Sequence, residues 1–284
     1  MTNVTKKIAL ITGPTSGIGK VTALELAKRG FDLILLARNP KKADELQLEI
    51  GDKTETSFVE CDLSSLASVQ RAVETVRANH SHIDLLINNA GGMMDQEEIT
   101  LDGIEMSFAV NHVGHFLLTN GLLDLLKAGK DARIVHVSSE AHRFGKFRID
   151  QLARPEKFSS WGAYGNSKMA NVLFSNELAE RLKPEGITSN AVHPGLVATG
   201  FGSGASGISG ILMLLARPFS KSPQEGAQTS LYVATSPDIF GVTGRYFKDM
   251  KPIKPAKEAK SKFLATELWK LSEDLVKDHL PAKA

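Results

Sequence analysis

The sequence contains one cysteine, Cys61, among 284 residues. That excludes an intrachain disulfide and a multi-cysteine metal site, and it fits a reducing compartment. Charge of neither sign is in excess: 34 Lys and Arg stand against 32 Asp and Glu, a formal net charge of +2. Such a balance gives no reason to expect nucleic acid or an anionic membrane as partner. Long apolar runs are missing as well. The longest, Ile208 to Ala216, is interrupted by Ser209 and Gly210, far short of the roughly 20 residues that span a bilayer. The first apolar segment begins at Ile8, so neither a signal peptide nor a membrane anchor is expected before it. The expectation is a soluble, cytoplasmic chain whose length suits a single α/β domain over 1–284.

What is present begins with Ile8 to Ile11, four apolar residues in a row that read as a strand buried on both faces. Thr12 and Gly13 end it, and Gly17, Ile18 and Gly19 open a helical pattern with Val21, Leu24 and Ala27 on one side. A glycine-rich turn between strand and helix lets backbone N–H groups approach a phosphate, and the helix N-terminus adds partial positive charge. Gly13, Thr15, Ser16, Gly17, Ile18 and Gly19 are therefore the candidate phosphate cradle, with spacing Gly-x-x-x-Gly-x-Gly. Further strands are expected at Asp32–Ala37, Phe58–Cys61, Asp84–Asn88, Arg133–Val137, Ile187–Val192 and Gly244–Phe247. Helices are expected between them: Lys41–Ile50, a helix capped by Ser64 and running to Asn79, Asp102–Lys127, and Ala163–Leu182. Alternation of strand and helix almost throughout predicts an α/β fold, a doubly wound parallel sheet with helices on both faces. In such sheets ligands bind beyond the carboxyl ends of the strands. The segments end at Gly13–Gly19, Arg38, Asp62-Leu63, Asn88–Gly92, Ser138-Ser139 and His193-Pro194-Gly195, so these clusters should share one edge.

Arg38 follows the second strand, where an acidic residue would accept from ribose hydroxyls and an arginine would pair with a 2′-phosphate. Neither Arg38 nor Asn39 is acidic, which favours NADP over NAD. Lys20 and Lys41 are candidates to add positive field. Tyr164 and Lys168 lie four apart on a helix and leave the same face; a nearby cation is expected to lower the phenol's pKa from about 10. Ser138 and Ser139 point to opposite faces of an extended chain, and either suits a substrate oxygen. His112 and His115, three apart, have helical spacing for a metal, but no third ligand is evident nearby and no metal is expected. Asn111 in the same helix is suited to holding a water or a backbone carbonyl. Met93, Met94 and Met106 read as filler, and Lys251 to Lys262 as a solvated surface segment.

Taken together, Thr12-Gly-Pro-Thr-Ser-Gly-Ile-Gly19, Asp62-Leu63, Asn88-Asn-Ala-Gly91, Asn111, Ser138-Ser139, Tyr164-x-x-x-Lys168 and Pro194-Gly195 with Thr199 resemble the compact short-chain dehydrogenases/reductases. Asn-His-Val-Gly-His-Phe116, Val-Ser-Ser-Glu-Ala-His142 and Ser-Lys-Met-Ala-Asn-Val-Leu-Phe174 resemble the branch of retinol dehydrogenases and WW-domain oxidoreductases. The resemblance implies a Rossmann-type sheet in the order 3-2-1-4-5-6-7, and an NAD(P)-dependent oxidoreductase with the tetrad Asn111, Ser139, Tyr164 and Lys168. By that analogy Ser139 orients a carbonyl oxygen, Tyr164 transfers the proton, Lys168 binds the nicotinamide ribose, and Asn111 holds a relay water. It implies cofactor contacts at Arg38, Asn39, Asp62, Leu63, Asn89, Ala90, Gly91, Tyr164, Lys168, Pro194, Gly195, Val197 and Thr199 besides the cradle, and a homodimer or homotetramer paired through the helices from Asp102 and Ala163. Three rivals are a catalytically silent nucleotide-sensing or scaffold protein on the same fold, a protochlorophyllide reductase-like enzyme, and a sugar-nucleotide epimerase, which would go with the extended family and its different glycine spacing. The second is disfavoured because those enzymes carry active-site cysteines and Cys61 falls at the adenine end.

The stretch Leu196 to Lys221 follows the sixth strand. Its glycines from Gly202 to Gly210 and the apolar Ile211-Leu212-Met-Leu-Leu215 are read as a mobile lid over an apolar substrate, the alternative being that Ile211 to Leu215 packs into the core or against another subunit. Phe144, Phe147, Trp161 and Leu196 are candidates for the facing wall. The expected substrate is a hydrophobic aldehyde, ketone or matching alcohol, with weak membrane-surface contact as a lesser use of so short a helix. A helical tail is expected over about 256–280.

Overall fold

The computed structural model describes residues 6–196 and 221–280. Its centre is an eight-stranded sheet: β1 Ile8–Thr12, β2 Asp32–Ala37, β3 Thr56–Glu60, β4 Leu85–Asn88, β5 Arg133–Val137, β6 Thr188–His193, β7 Tyr246–Lys248 and β8 Lys251–Ile253. The strands lie in the order β3-β2-β1-β4-β5-β6-β7-β8. The first seven are parallel, as the sequence predicts, and β8 joins antiparallel to β7 with Tyr246 opposite Ile253. The helices are α1 Gly17–Lys28, α2 Pro40–Ile50, α3 Leu66–Asn79, α4 Met106–Phe108, α5 Gly114–Gly121, α6 Leu123–Ala128, α7 Ser160–Arg181, α8 Pro223–Thr235 and α9 Lys262–Val276.

Period-two alternation along the strands divides the core between the two faces of the sheet. Leu10 of β1 packs with Leu86, Ile134, Phe116, Leu173 and Trp269 under α3, α5, α7 and α9. Its neighbours Ala9 and Ile11 pack with Leu85, Ile87, Leu26, Leu46 and Leu231 under α1, α2 and α8. Because β1 to β6 are parallel, Thr12, Ala37, Glu60, Asn88, Val137 and His193 end along one edge. The turns that follow them meet there.

Three expectations change. The helix expected over Asp102–Lys127 starts only at Met106, because Gly103 turns with φ +77° and the buried Glu105 carboxylate accepts from the N–H groups of Ser107 and Phe108. Asp102 serves another helix: its carboxylate accepts from Leu66 N–H, 2.9 Å away, at the start of α3. Ser65, not Ser64, caps that helix through Ser68 N–H, while the Ser64 hydroxyl donates to Asp62. Finally, the lysine-rich segment is not simply solvated: Lys251–Ile253 forms β8, and Ala256 and Ala259 are buried beneath exposed lysines.

The helix α9 lies along α7, where Trp269 packs edge-on against Phe116 and stacks beneath the Arg181 guanidinium at 3.9 Å. Almost all of α5 and most of α7 are buried within the chain. The faces through which the resemblance expects subunits to pair are thus largely covered by the chain's own elements. No helix among the described residues is long and apolar enough to cross a membrane.

Candidate active site

The glycine turn is built by close approach. Gly13 has φ +64° and Gly17 φ +53°, a region that disfavours any other side chain. At Gly19 a Cβ would lie 2.1 Å from the Gly13 carbonyl oxygen, so α1 seats directly on the turn. The N-cap Ser16 makes no side-chain capping bond and the first turn of α1 holds no acidic residue. By contrast Asn39, Ser65, Ser159, Ser222 and Ser261 each cap the helix that follows. Open N–H groups, an exposed Ser16, and half-buried Thr15 and Ile18 fit a dinucleotide pyrophosphate.

Around the turn, the predicted cofactor residues divide by role. Asn89 is structural: its side chain donates to the carbonyls of Thr12 and Gly13 at 2.9 and 3.2 Å. The Thr12 hydroxyl accepts from Asn89 N–H and Ala90 N–H, both at 3.0 Å. Asn39 caps α2 by accepting from Lys42 N–H, whereas Arg38 is exposed at the end of β2 with no ion pair among the described residues. Lys20 is paired with Glu49 at 2.7 Å and adds little field. Asp62 is spent on its own turn, accepting from Ser64, and Leu63 is buried against Gly114. Pro194 is buried and Gly195, with φ +94°, lies against the Lys221 side chain. Val197, Thr199, Leu212 and the rest of the expected lid lie outside the described residues.

The structure brings Asn111, Ser139, Tyr164 and Lys168 together at the ends of β4 and β5. Ser138 and Ser139 do face opposite ways. The Ser138 hydroxyl is buried and donates to the Lys168 carbonyl at 2.8 Å, while the Ser139 hydroxyl hydrogen-bonds the Tyr164 phenol. That separation leaves Ser139 as the serine available to a substrate. Lys168 Nζ donates to the Val137 carbonyl at 3.1 Å and sits 5.6 Å from the Tyr164 ring centre. Gly91 is the point of convergence: a Cβ there would be 2.6 Å from Asn111 Oδ1 and 3.0 Å from Lys168 Nζ.

Asn111 lies not in a regular α-helix but in a π-turn, Ala109–Val113, in which Gly114 N–H reaches back to the Ala109 carbonyl. Its side chain clamps Gly92, accepting from N–H and donating to C=O at 2.9 Å each, and also donates to Ser167 Oγ at 2.8 Å. Ser167 in turn donates to the Tyr164 carbonyl. His112 and His115 take separate partners, Ser272 and Thr12, so they do not aim at a shared point. His142 fixes the loop after β5, with Nδ1 on the Ser139 carbonyl at 2.6 Å and Nε2 accepting from Ala256 N–H at 3.0 Å. Thr12, Ser167 and His142 were missed as site residues. The available signal was spacing: Ser167 follows Tyr164 by three residues, a helical neighbour.

Burial moves the catalytic pair in opposite directions. The Tyr164 phenol is pushed up to about 12 by desolvation, against the Ser139 hydrogen bond that lowers it. The net direction is upward, opposite to the lowering expected from a nearby cation, and its largest cause is desolvation. Desolvation pushes the Lys168 ammonium down to about 8. The Cys61 thiol is buried and pushed up to about 12, also chiefly by desolvation, which makes it inert. Phe147 packs against the core, while Phe144, Trp161 and Leu196 are exposed.

The lysine makes a test of stability against chemistry. Between its folded value of about 8 and its ordinary 10.5 the unfolded chain holds a proton that the folded chain has shed, so this group adds stability as pH rises through that window. At pH 7 it only costs. Lys168→Met should therefore raise the melting temperature at pH 7 by a few degrees, since Asn171 Nδ2 still donates to the Val137 carbonyl at 3.2 Å. The advantage should shrink by pH 10. Differential scanning fluorimetry checks both, and a lower melting temperature at pH 7 would contradict this account.

Known proteins bear on the site in two ways. The chain matches the short chain dehydrogenase family over residues 7–206. It is 42% identical to retinol dehydrogenase 12 of Mus musculus over 273 residues, covering 95% of this chain and 86% of that protein. It is 40% identical to the WW domain-containing oxidoreductase of Homo sapiens over 292 residues, covering 99% of this chain and 70% of that one. Among solved structures it is similar to an uncharacterized protein from Mycobacterium paratuberculosis, with a TM-score of 0.77, 33% identity, and 95% and 93% of the two chains covered. The Pseudomonas aeruginosa RhlG/NADP active-site complex shares the fold at a TM-score of 0.69 and 24% identity, over 86% and 94% of the chains. A dinucleotide cradle beside a Ser, Tyr and Lys set, together with these matches, establishes that the chain is a member of the short-chain dehydrogenase/reductase family of nicotinamide-dependent oxidoreductases.

Proposed function

We propose that this protein uses NADPH to reduce bulky apolar aldehydes or ketones, and in reverse oxidises the matching alcohols. The observation that carries the reading is the meeting of Ser139, Tyr164, Lys168 and Asn111 at Gly91, beside the glycine turn. Reducing a carbonyl adds a hydride at carbon and a proton at oxygen; the bound dinucleotide supplies the hydride. The chain's own residues manage the oxygen. Ser139 and Tyr164 share a hydrogen bond, so an oxygen placed between the hydroxyls can accept from both. A phenol held up at about 12 stays protonated at neutral pH, the form that donates. Lys168, still a cation at pH 7, stands where it favours the phenolate left after donation.

Arg38 supports NADPH over NADH. It is exposed at the end of β2, and the α2 helix that follows has no acidic residue in its first turn. The apolar substrate is supported by Met93 and Ala141, which pack with Tyr164, and by Trp161, one turn before Tyr164 on α7. Phe144 follows the short helix Glu140–Arg143, a segment against which α7 packs so closely that a Cβ at Gly165 would be 2.9 Å from the Ala141 carbonyl. Retinol, in the name of the mouse relative, is itself a bulky apolar alcohol.

Removal of the phenolic hydroxyl tests the chemistry. Tyr164→Phe should lower kcat by about 10²–10⁴, with NADPH affinity measured by fluorescence titration little changed; most of the wild-type turnover surviving would refute the assignment. The cofactor assignment rests on Arg38. Arg38→Asp should weaken NADPH by about 10- to 100-fold, the worth of a charge-assisted contact, and leave NADH no weaker. Equal affinity of the unaltered protein for both cofactors would count against it. For the substrate, kcat/KM should rise with apolar bulk along a series of straight-chain and aromatic aldehydes, and Trp161→Ser should flatten the rise. A preference for small or charged carbonyls would sink this part.

A further inference from the structure

We propose that His115, as its Nδ1–H tautomer, is a positioning residue that locks the Asn111 carbonyl to the glycine-turn residue Thr12. One ring nitrogen serves the cofactor turn and the other serves the tetrad. The inference rests on the function proposed above and concerns how that site is held together.

The polarity of the link follows from counting donors. The Asn111 carbonyl can only accept, so the contact at 3.1 Å requires the proton on Nδ1 of His115. The ring is fully buried and pushed down to about 4 by desolvation, hence neutral, which leaves Nε2 as an acceptor. Thr12 Oγ1 lies 2.9 Å from that Nε2. Its two lone pairs already take the N–H groups of Asn89 and Ala90, and of the two acceptors within reach of its proton the ring, at 2.9 Å, is nearer than the Ile87 carbonyl at 3.4 Å. The link then runs in one direction: Asn89 and Ala90 to Thr12, Thr12 to His115, His115 to Asn111.

At the other end Asn111 is equally committed, with Gly92 and Ser167 on its side chain and Ser167 on the Tyr164 carbonyl. His115 thus joins the turn at the end of β1 to the helix carrying the tyrosine. A link is needed because the π-turn around Asn111 departs from regular helical hydrogen bonding. A ring reaching four residues back substitutes for it. Asparagine side chains make the same reach elsewhere in this fold, Asn79 to the Thr75 carbonyl and Asn120 to the Phe116 carbonyl, at 2.8 Å each.

That precedent separates the two ends of the link. His115→Asn keeps a donor at the place of Nδ1 and loses the bond to Thr12. His115→Gln reaches the place of Nε2, where its amide oxygen accepts from Thr12, and loses the donor to Asn111. With one hydrogen bond worth about tenfold, His115→Asn should raise the NADPH Kd about tenfold and move kcat less. His115→Gln should lower kcat about tenfold and move Kd less. Equal losses in both quantities for both variants, no change in either, or the opposite pattern would overturn the proposal. Nitrogen-15 NMR of the unaltered protein decides independently of turnover: Nδ1 of His115 must carry the proton, and an Nε2–H or doubly protonated ring refutes the link. If the protein reduced no carbonyl at all, the function proposed above would fall. The tautomer and the effect of His115→Asn on NADPH binding would still decide the role of His115.

Discussion

The architecture of the site depends on holding one ammonium group out of water. Lys168 is 3% exposed, and a buried cation costs several kcal/mol unless its protons find acceptors. The acceptor it finds is the carbonyl of Val137, the last residue of β5. The same strand end also holds the lysine's backbone, through the Ser138 hydroxyl on the Lys168 carbonyl. These two contacts fix the height of α7 on the sheet, and with it the position of Tyr164 one turn earlier. Close packing maintains it: Gly165 has no room for a side chain against Ala141, and α9 grips the far end through Trp269 and Arg181. The C-terminal helix, remote from the chemistry, therefore helps to aim it.

Burial explains the electrostatics of the pair better than charge does. Both groups move toward their neutral forms, the phenol upward and the ammonium downward, as desolvation requires of an acid and a base in one dry pocket. The spacing of Tyr164 and Lys168 correctly places them on one helical face, but spacing carries no information about solvent. For the same reason the direction of the tyrosine shift was not legible, whereas the meeting of the groups was.

Alternation of strand and helix made the parallel sheet and the edge on which the clusters gather legible, and the period of two along an extended chain did the same for the opposed faces of Ser138 and Ser139; the strand order came with the family resemblance. What escaped was set by partners distant in sequence. Asp102 reads as a helix start and instead caps α3 from 36 residues away. Asn89 reads as a cofactor contact, and its side chain also holds the glycine turn through the carbonyls of Thr12 and Gly13. The π-turn at Asn111 leaves no mark in a helical pattern, since one extra residue shifts the phase only locally. Lysines between Lys251 and Lys262 mask the apolar Ala256 and Ala259, which are buried because β8 and α9 bring that segment back onto the core.

Buried histidines recur as connectors throughout the site. His115 joins β1 to the π-turn, and His142 joins the Ser139 carbonyl to Ala256. His136 of β5 joins Asn88 of β4 to Ser189 of β6. A neutral imidazole suits this work because it offers one donor and one acceptor on opposite sides of a rigid ring, and so fixes the direction of both bonds. Protonation would turn the acceptor into a second donor facing Thr12, Ala256 N–H or the Asn88 amide. Desolvation prevents that, pushing His115 down to about 4 and His136 to about 3 and lowering His142 as well. The sign of the linkage follows. These rings contribute their stability above the unfolded value of about 6.5, and the contribution drains as pH falls below it, because the unfolded chain takes up the protons first. The groups that give the site its rigidity are thus the same ones that tie its integrity to neutral pH.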